Sequence, residues 1–238
     1  MGALALFWWK FLTMKYDWIL VDADETLFSF DAFAGIAQVF AECGLVFTEQ
    51  DYIDYQKVNK PLWTQYQNGE IEIEYLKQAR FVELARRLDI SATELNSRFT
   101  MAMAQICQPF AGVQTTIKAL ACRAKLGIIT NGFADMQQVR LEKTGLAEYF
   151  EFVVVSEVVG EPKPNRAIFE AAFEQMGDFD KSRVLMVGDN PTSDILGGIN
   201  AGIDTCWLQL GDDWQTDIEP TMVARDWFEL SHVLLHQA

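Results

Sequence analysis

The sequence predicts an α/β protein: a doubly wound parallel sheet with an all-helical domain inserted after its first strand. Three observations carry that expectation. Short, continuous apolar runs alternate with helix-length segments through the second half of the chain. Residues 30–108 show helical periodicity and no strand-like run. Acidic, hydroxyl and amide side chains fall directly after the apolar runs, at the strand ends where open α/β sheets bind ligands.

The first strand is Trp18–Val21. Four more follow at 126–130, Phe152–Val155, Val184–Gly188 and 205–208. Each run is β-branched or continuously apolar rather than alternating, as expected where helices cover both faces of a parallel sheet. Helices are expected at Ala134–Thr144, stopped by Gly145, at 164–176, stopped by Gly177, and at 193–201, stopped by Gly202. In the insertion, Ile71, Tyr75, Ala79, Val82 and Leu84, then Leu95, Phe99 and Met103, recur at helical spacing. Breaks at Asn68-Gly69 and at residues 89–91 divide it into four or five helices. The expected division is a core of residues 14–29 and 109–238, a helical cap of 30–108, and an extension of 1–13 outside the fold. That extension is apolar but lacks a basic start and a cleavage site, and it is too short to span a bilayer; Met14 reads as a natural start.

Composition narrows the function. The chain has 238 residues and a net charge of −15, with 34 acidic against 19 basic side chains. Nucleic acid and anionic membrane are therefore excluded as general partners. An anionic substrate needs a local positive site within this field. The cysteines, Cys43, Cys107, Cys122 and Cys206, have no metal-like spacing and read as buried, reduced thiols of a cytoplasmic protein. His232 and His236 lie one helical turn apart with no further ligand near them in sequence, and read as a solvated face.

The strand ends carry the chemistry. Strand one ends in Asp22-Ala23-Asp24, strand two in Thr130-Asn131-Gly132, and strand four in Gly188-Asp189-Asn190 with Asp194 following. Past strand three comes Pro162-Lys163-Pro164. Paired carboxylates at a buried strand end are costly unless a cation offsets their desolvation. The pairing makes sense where one attacks phosphorus and the other moves a proton.

These four motifs, in this order, resemble those of the haloacid dehalogenase superfamily, in its phosphatase branch with a helical cap after the first motif. The resemblance runs from Met14 to the C-terminus. Within it, Asp22-Ala23-Asp24-Glu25-Thr26-Leu27-Phe28, Val58-Asn59-Lys60-Pro61-Leu62-Trp63 and Gly197-Gly198-Ile199-Asn200-Ala201-Gly202 are similar to the bacterial pyrimidine 5′-nucleotidases. A lone D-x-D-x-T is weak evidence; four ordered motifs are strong.

The resemblance implies, and the chemistry agrees, that Asp22 is the nucleophile and Asp24 the acid–base. Mg²⁺, or Mn²⁺ in its place, would take carboxylate oxygens from Asp22 and Asp189 and the backbone carbonyl of Asp24, with Asp194 behind them. Thr130, the Asn131 backbone N–H and Lys163 would hold the phosphoryl group. Asp24 separates a phosphatase from a dehalogenase, which needs no leaving-group acid. Asn59 is expected at a base edge, Lys60 or Arg80 at phosphate, and Phe28, Phe30, Trp63 or Tyr66 as ring platforms.

The expected activity is hydrolysis of nucleoside 5′-monophosphates, with UMP, dUMP and dTMP as natural candidates. The alternatives are a phosphatase for sugar or polyol phosphates or phosphoglycolate, a phosphomutase, and a non-catalytic protein that keeps the fold. The protein is expected to work as a monomer or homodimer on a small molecule, away from membranes.

Overall fold

The computed structural model describes residues 14–211 and 216–236. The expectation for residues 1–13 lies outside this range. A six-stranded parallel sheet forms the centre, in the order β3-β2-β1-β4-β5-β6. Its strands are β1 (Trp18–Val21), β2 (Lys125–Thr130), β3 (Phe152–Val155), β4 (Val184–Gly188), β5 (Asp204–Leu208) and β6 (Met222–Ala224). The last strand was not expected. It is three residues long, lies at the sheet edge and carries too short a pattern to be read.

Alternate residues along β1 enter different cores, which is why its sequence is continuously apolar. Ile19 and Val21 join one cluster with helices α6 (Val113–Ala121) and α11 (Trp227–His236). Trp18 and Leu20 join another with α9 (Arg166–Met176). Both faces are thus covered.

Between β1 and β2 lie α1 (Ala32–Glu42), α2 (Glu49–Gln67), α3 (Ile73–Ala79), α4 (Val82–Leu88) and α5 (Ala92–Ile106), before α6 returns the chain to the sheet. Local chemistry sets their ends. Asp31 and Ser91 cap α1 and α5, and Thr48 with Asp51 forms a capping box on α2. Asn68 ends α2, and Asp89, in the left-handed region, ends α4. The inserted helices pack on a core of their own, built from residues such as Phe40, Tyr55, Phe81 and Phe99. They meet the sheet layer at α7 (Ala134–Thr144), whose Met136 enters that core. They also meet α8 (Ser156–Val159): the Tyr66 hydroxyl donates to Ser156 Oγ at 2.9 Å, and Lys77 pairs with Glu157.

Three sequence expectations need correction. The helix expected at 164–176 starts at Arg166, because the Asn165 side chain takes the N–H of Ala167 and caps it. The one expected at 193–201 is split. Pro191–Ile195 forms a wide turn around the Asn190 side chain, and only α10 (Leu196–Ala201) is regular α-helix. Finally, Cys107 and Cys206 are buried but Cys43 and Cys122 are exposed; all four are free thiols. His232 and His236 are exposed and stacked ring on ring, 5.2 Å apart. Among the described residues, no helix is long and apolar enough to cross a membrane.

Candidate active site

Strand register builds the site. Val21 pairs with Ile128 on one side and Val187 on the other, so Asp22 leaves β1 level with Ile129 and Gly188, at the ends of β2 and β4. Strand order reverses direction at β1, where the crevice of a doubly wound sheet opens. Asp22, Asp24, Thr130, Asn131, Lys163 and Asp189 all line one cleft of about 450 Å³. Asn59, Lys60, Trp63, Phe30 and Arg80 line it from the helical side. Two expected platforms do not. Phe28 is fully buried beneath the Arg140 guanidinium, and Tyr66 is buried with its hydroxyl on Ser156.

Lys163 is the centre of charge. Its ammonium is 1% exposed and donates to Asp22 Oδ1 at 2.5 Å, Asp194 Oδ1 at 2.6 Å and the Ile129 carbonyl at 2.8 Å. Those three bonds use all its donors. Burial disfavours its charge, but Asp194 and Asp22 outweigh this and raise its pKa above the ordinary lysine value. The lysine loop is fixed by Asn131, whose amide exchanges two hydrogen bonds with the Lys163 backbone, at 2.8 and 3.0 Å. The Asn131 side chain is therefore a clamp on the Lys163 loop.

The carboxylates are crowded. Oxygen atoms of Asp22, Asp189 and Asp194 lie within 4.8 Å of one another. Burial pushes the Asp22 carboxyl up to about 7; Lys163 opposes this, while Asp194 and Asp24 reinforce it. Burial pushes Asp189 up to about 8, with Asp194 and Asp22 adding to it. One lysine thus leaves negative charge uncompensated when all three ionise. The donor set is oxygen only, which suits a hard divalent cation such as Mg²⁺. Asp194 is a poor first ligand, since its oxygens already accept from Lys163 and from the Asn190 N–H at 3.0 Å. Gly188 makes room for it: a Cβ there would lie 2.2 Å from Asp194 Oδ2. Asp189 is held by Thr26, whose hydroxyl donates to Oδ1 and accepts the Asp189 N–H, both at 3.0 Å.

Asp24 has a partner that sequence reading missed. Arg140 of α7, 1% exposed, donates to Asp24 Oδ1, and Gln137 Oε1 accepts from the other guanidinium nitrogens at 2.6 and 3.0 Å. The available signal was the spacing of Gln137 and Arg140 on the helix that follows Thr130-Asn131-Gly132. Thr130 Oγ1 accepts the Gly132 N–H at 3.0 Å, so its own proton remains to be donated. A Cβ on Gly132 would come within 2.7 Å of Asp24 Oδ2, so glycine lets this loop approach the second carboxylate.

A parallel sheet thus carries an acidic cluster and a buried lysine at its switch point, roofed by inserted helices, where open α/β sheets bind ligands. The sequence profile of the haloacid dehalogenase-like hydrolases matches residues 16–202, and the chain belongs to that family. It is 52% identical to the pyrimidine 5′-nucleotidase YjjG of Escherichia coli, over 93% of this chain and 99% of that one. It is 36% identical to the pyrimidine 5′-nucleotidase PynA of Streptococcus pneumoniae, over 82% of this chain and 84% of that one. Among solved structures, the magnesium-bound putative HAD-hydrolase YfnB of Bacillus subtilis superposes with a TM-score of 0.82 at 28% identity. That match covers 93% of this chain and 99% of the other.

Proposed function

We propose that this hydrolase is a Mg²⁺-dependent, cytoplasmic phosphomonoesterase acting on nucleoside 5′-monophosphates, with pyrimidine nucleotides such as UMP, dUMP and dTMP preferred. The identity to two pyrimidine 5′-nucleotidases supports the substrate class. The observation that carries the chemistry is the cleft itself: two carboxylates, Asp22 and Asp24, beside a hydroxyl and a buried ammonium. Residues 14–29 and 109–238 would form the catalytic core, and 30–108 the cap that closes over substrate and excludes water.

An Asp22 oxygen attacks phosphorus, and the bond from phosphorus to the nucleoside 5′ oxygen breaks. Asp24 gives that oxygen its proton. The product is a nucleoside and an aspartyl-phosphate. A water molecule then attacks phosphorus and loses its proton to Asp24, restoring the Asp22 carboxylate and releasing phosphate. Lys163 and Thr130 stabilise the phosphoryl oxygens throughout; losing one such preorganised donor costs about 2.7–4 kcal/mol in other enzymes. Asp22, Asp189 and the Asp24 backbone would hold Mg²⁺, which supplies charge neutralisation to the phosphoryl group. Asp194 positions Lys163 rather than touching substrate.

The test is phosphate release across UMP, dUMP, dTMP, AMP, GMP, phosphoglycolate and sugar phosphates, with Mg²⁺ and with EDTA. Turnover that is fastest on pyrimidine nucleotides and lost in EDTA is expected. Activity confined to sugar phosphates or phosphoglycolate would discard the nucleotidase reading and keep the mechanism. Asp22→Asn should remove turnover in a folded protein; appreciable residual activity would refute the nucleophile.

A further inference from the structure

Five charged residues are buried among the described residues: Asp22, Arg80, Arg140, Lys163 and Asp194. Four belong to the ion pairs at the strand ends. Arg80 is the exception. It is 4% exposed, lies in the cap, and has no carboxylate partner among the described residues. Its Nη2 donates to Asn96 Oδ1 at 2.6 Å, and burial pulls its pKa below the ordinary arginine value although the neighbouring Tyr55 hydroxyl pulls the other way. Its Nε has no partner. A buried donor left unpaired costs free energy, so its persistence needs an explanation.

Among the described residues, one other buried side-chain polar atom is unpartnered: Asn59 Oδ1. Asn59 lines the same cleft as Arg80. The Asn59 amide nitrogen donates to Gln56 Oε1 at 3.2 Å, which assigns the unpaired end as an acceptor. Aromatic rings place the two groups together. Tyr55, Asn59 and Trp63 follow at intervals of four on one face of α2. Tyr55 stacks on Phe81 at 5.4 Å, and Trp63 packs on Phe133 at 5.8 Å. The Arg80 guanidinium lies over those same two rings, at 4.7 Å from Phe81 and 4.9 Å from Phe133. Asn59 sits between Tyr55 and Trp63, on the side of α2 that meets these rings, and shares the cleft with Arg80.

One unpaired acceptor and one unpaired donor, walled by aromatic rings, call for a flat ligand with a ring N–H beside a carbonyl. Resting on the nucleotidase reading, we propose that Asn59 Oδ1 and Arg80 Nε read the imide edge of a uracil or thymine base. Asn59 accepts from the ring N–H, and Arg80 donates to the adjacent carbonyl oxygen. Cytosine offers a lone pair where the N–H should be and leaves Asn59 unpaired. Arg80 on this reading serves the base, not the phosphate.

The experiment compares kcat/KM for UMP, CMP and N3-methyl-UMP in wild type, Asn59→Leu and Arg80→Met, with folding checked by circular dichroism and melting. Wild type should favour UMP over both analogues by about tenfold to a hundredfold, the range set by leaving a buried polar group unmatched. In Asn59→Leu the UMP-to-CMP ratio should fall to within about threefold of unity, since the acceptor is gone. A merely structural role would slow both substrates equally and leave that ratio unchanged, which would overturn the assignment. Fast wild-type turnover of UMP without discrimination from CMP would also overturn it, with the nucleotidase reading intact. Poor turnover of every nucleotide beside sugar phosphates would remove that reading and this pair with it. Should Arg80→Met fail to fold, the Asn59→Leu ratio decides alone.

Discussion

Replacing Lys163 with methionine keeps its bulk and removes its charge. The ammonium makes three hydrogen bonds in a fully buried setting, two of them to carboxylates at 2.5 and 2.6 Å. Deleting one partner of a buried ion pair costs about 3–5 kcal/mol, because the remaining charge is stranded. For a chain of this size that corresponds to a melting temperature lower by roughly 6–20 °C. The loss should depend on pH. In the metal-free protein the Asp22 and Asp189 carboxyls lie near 7 and 8, above the ordinary value of 3.8. A raised folded-state value means that the folded protein binds more protons than the unfolded chain. The stability this contributes is complete below the unfolded value and is lost as pH rises through the folded one. Without the lysine, Asp22 is raised further and the fall steepens. Melting of wild type and Lys163→Met in EDTA at pH 5 and pH 8 checks this: the deficit should be large at pH 8 and much smaller at pH 5. A deficit of the same size at both pH values, or none at pH 8, would refute the reasoning.

Three further outcomes follow from the same geometry. Asp24→Asn should slow both chemical steps and allow phosphorylated enzyme to be trapped and seen by mass spectrometry; a wild-type rate would remove its acid–base role. Arg140→Ala releases the Asp24 side chain from its one guanidinium partner, and kcat should fall about tenfold to a hundredfold with KM little changed, the signature of a mispositioned group. Mg²⁺ at about a hundred times its dissociation constant should stabilise the protein by about 2.7 kcal/mol. Its apparent affinity should weaken as pH falls below 7, because protons compete for the carboxylates. Isothermal titration at pH 6 and pH 8 measures that difference.

Much of this fold was legible because the central strands are buried on both faces and so write nearly unbroken apolar runs. The five longer strands were found for that reason, and β6, three residues at an edge with Val223 exposed, was missed because it writes no such run. The motifs at the strand ends were legible because parallel register brings the residues after β1, β2 and β4 to one edge wherever those strands lie in sequence. Contacts that depend on one helix approaching another were not legible. Arg140 reaches Asp24 across 116 positions, and the spacing of Gln137 and Arg140 on α7 hints at a shared face without naming the distant carboxylate it meets. Arg80 looked like a phosphate ligand in sequence, and only its burial among rings shows a different surrounding. Phe28 and Tyr66 misled for the opposite reason, since an aromatic side chain in sequence does not declare whether it faces a cleft or a core.

The indole of Trp227, in α11, donates to the Thr26 carbonyl at 2.9 Å, across 201 positions of chain. Thr26 in turn holds Asp189. A segment near one end of the polypeptide is thus stitched to a loop near the other, and the stitch lies directly under the acidic cluster. Removing the Trp227 indole would leave the Thr26 carbonyl without its donor and loosen the loop whose hydroxyl holds Asp189.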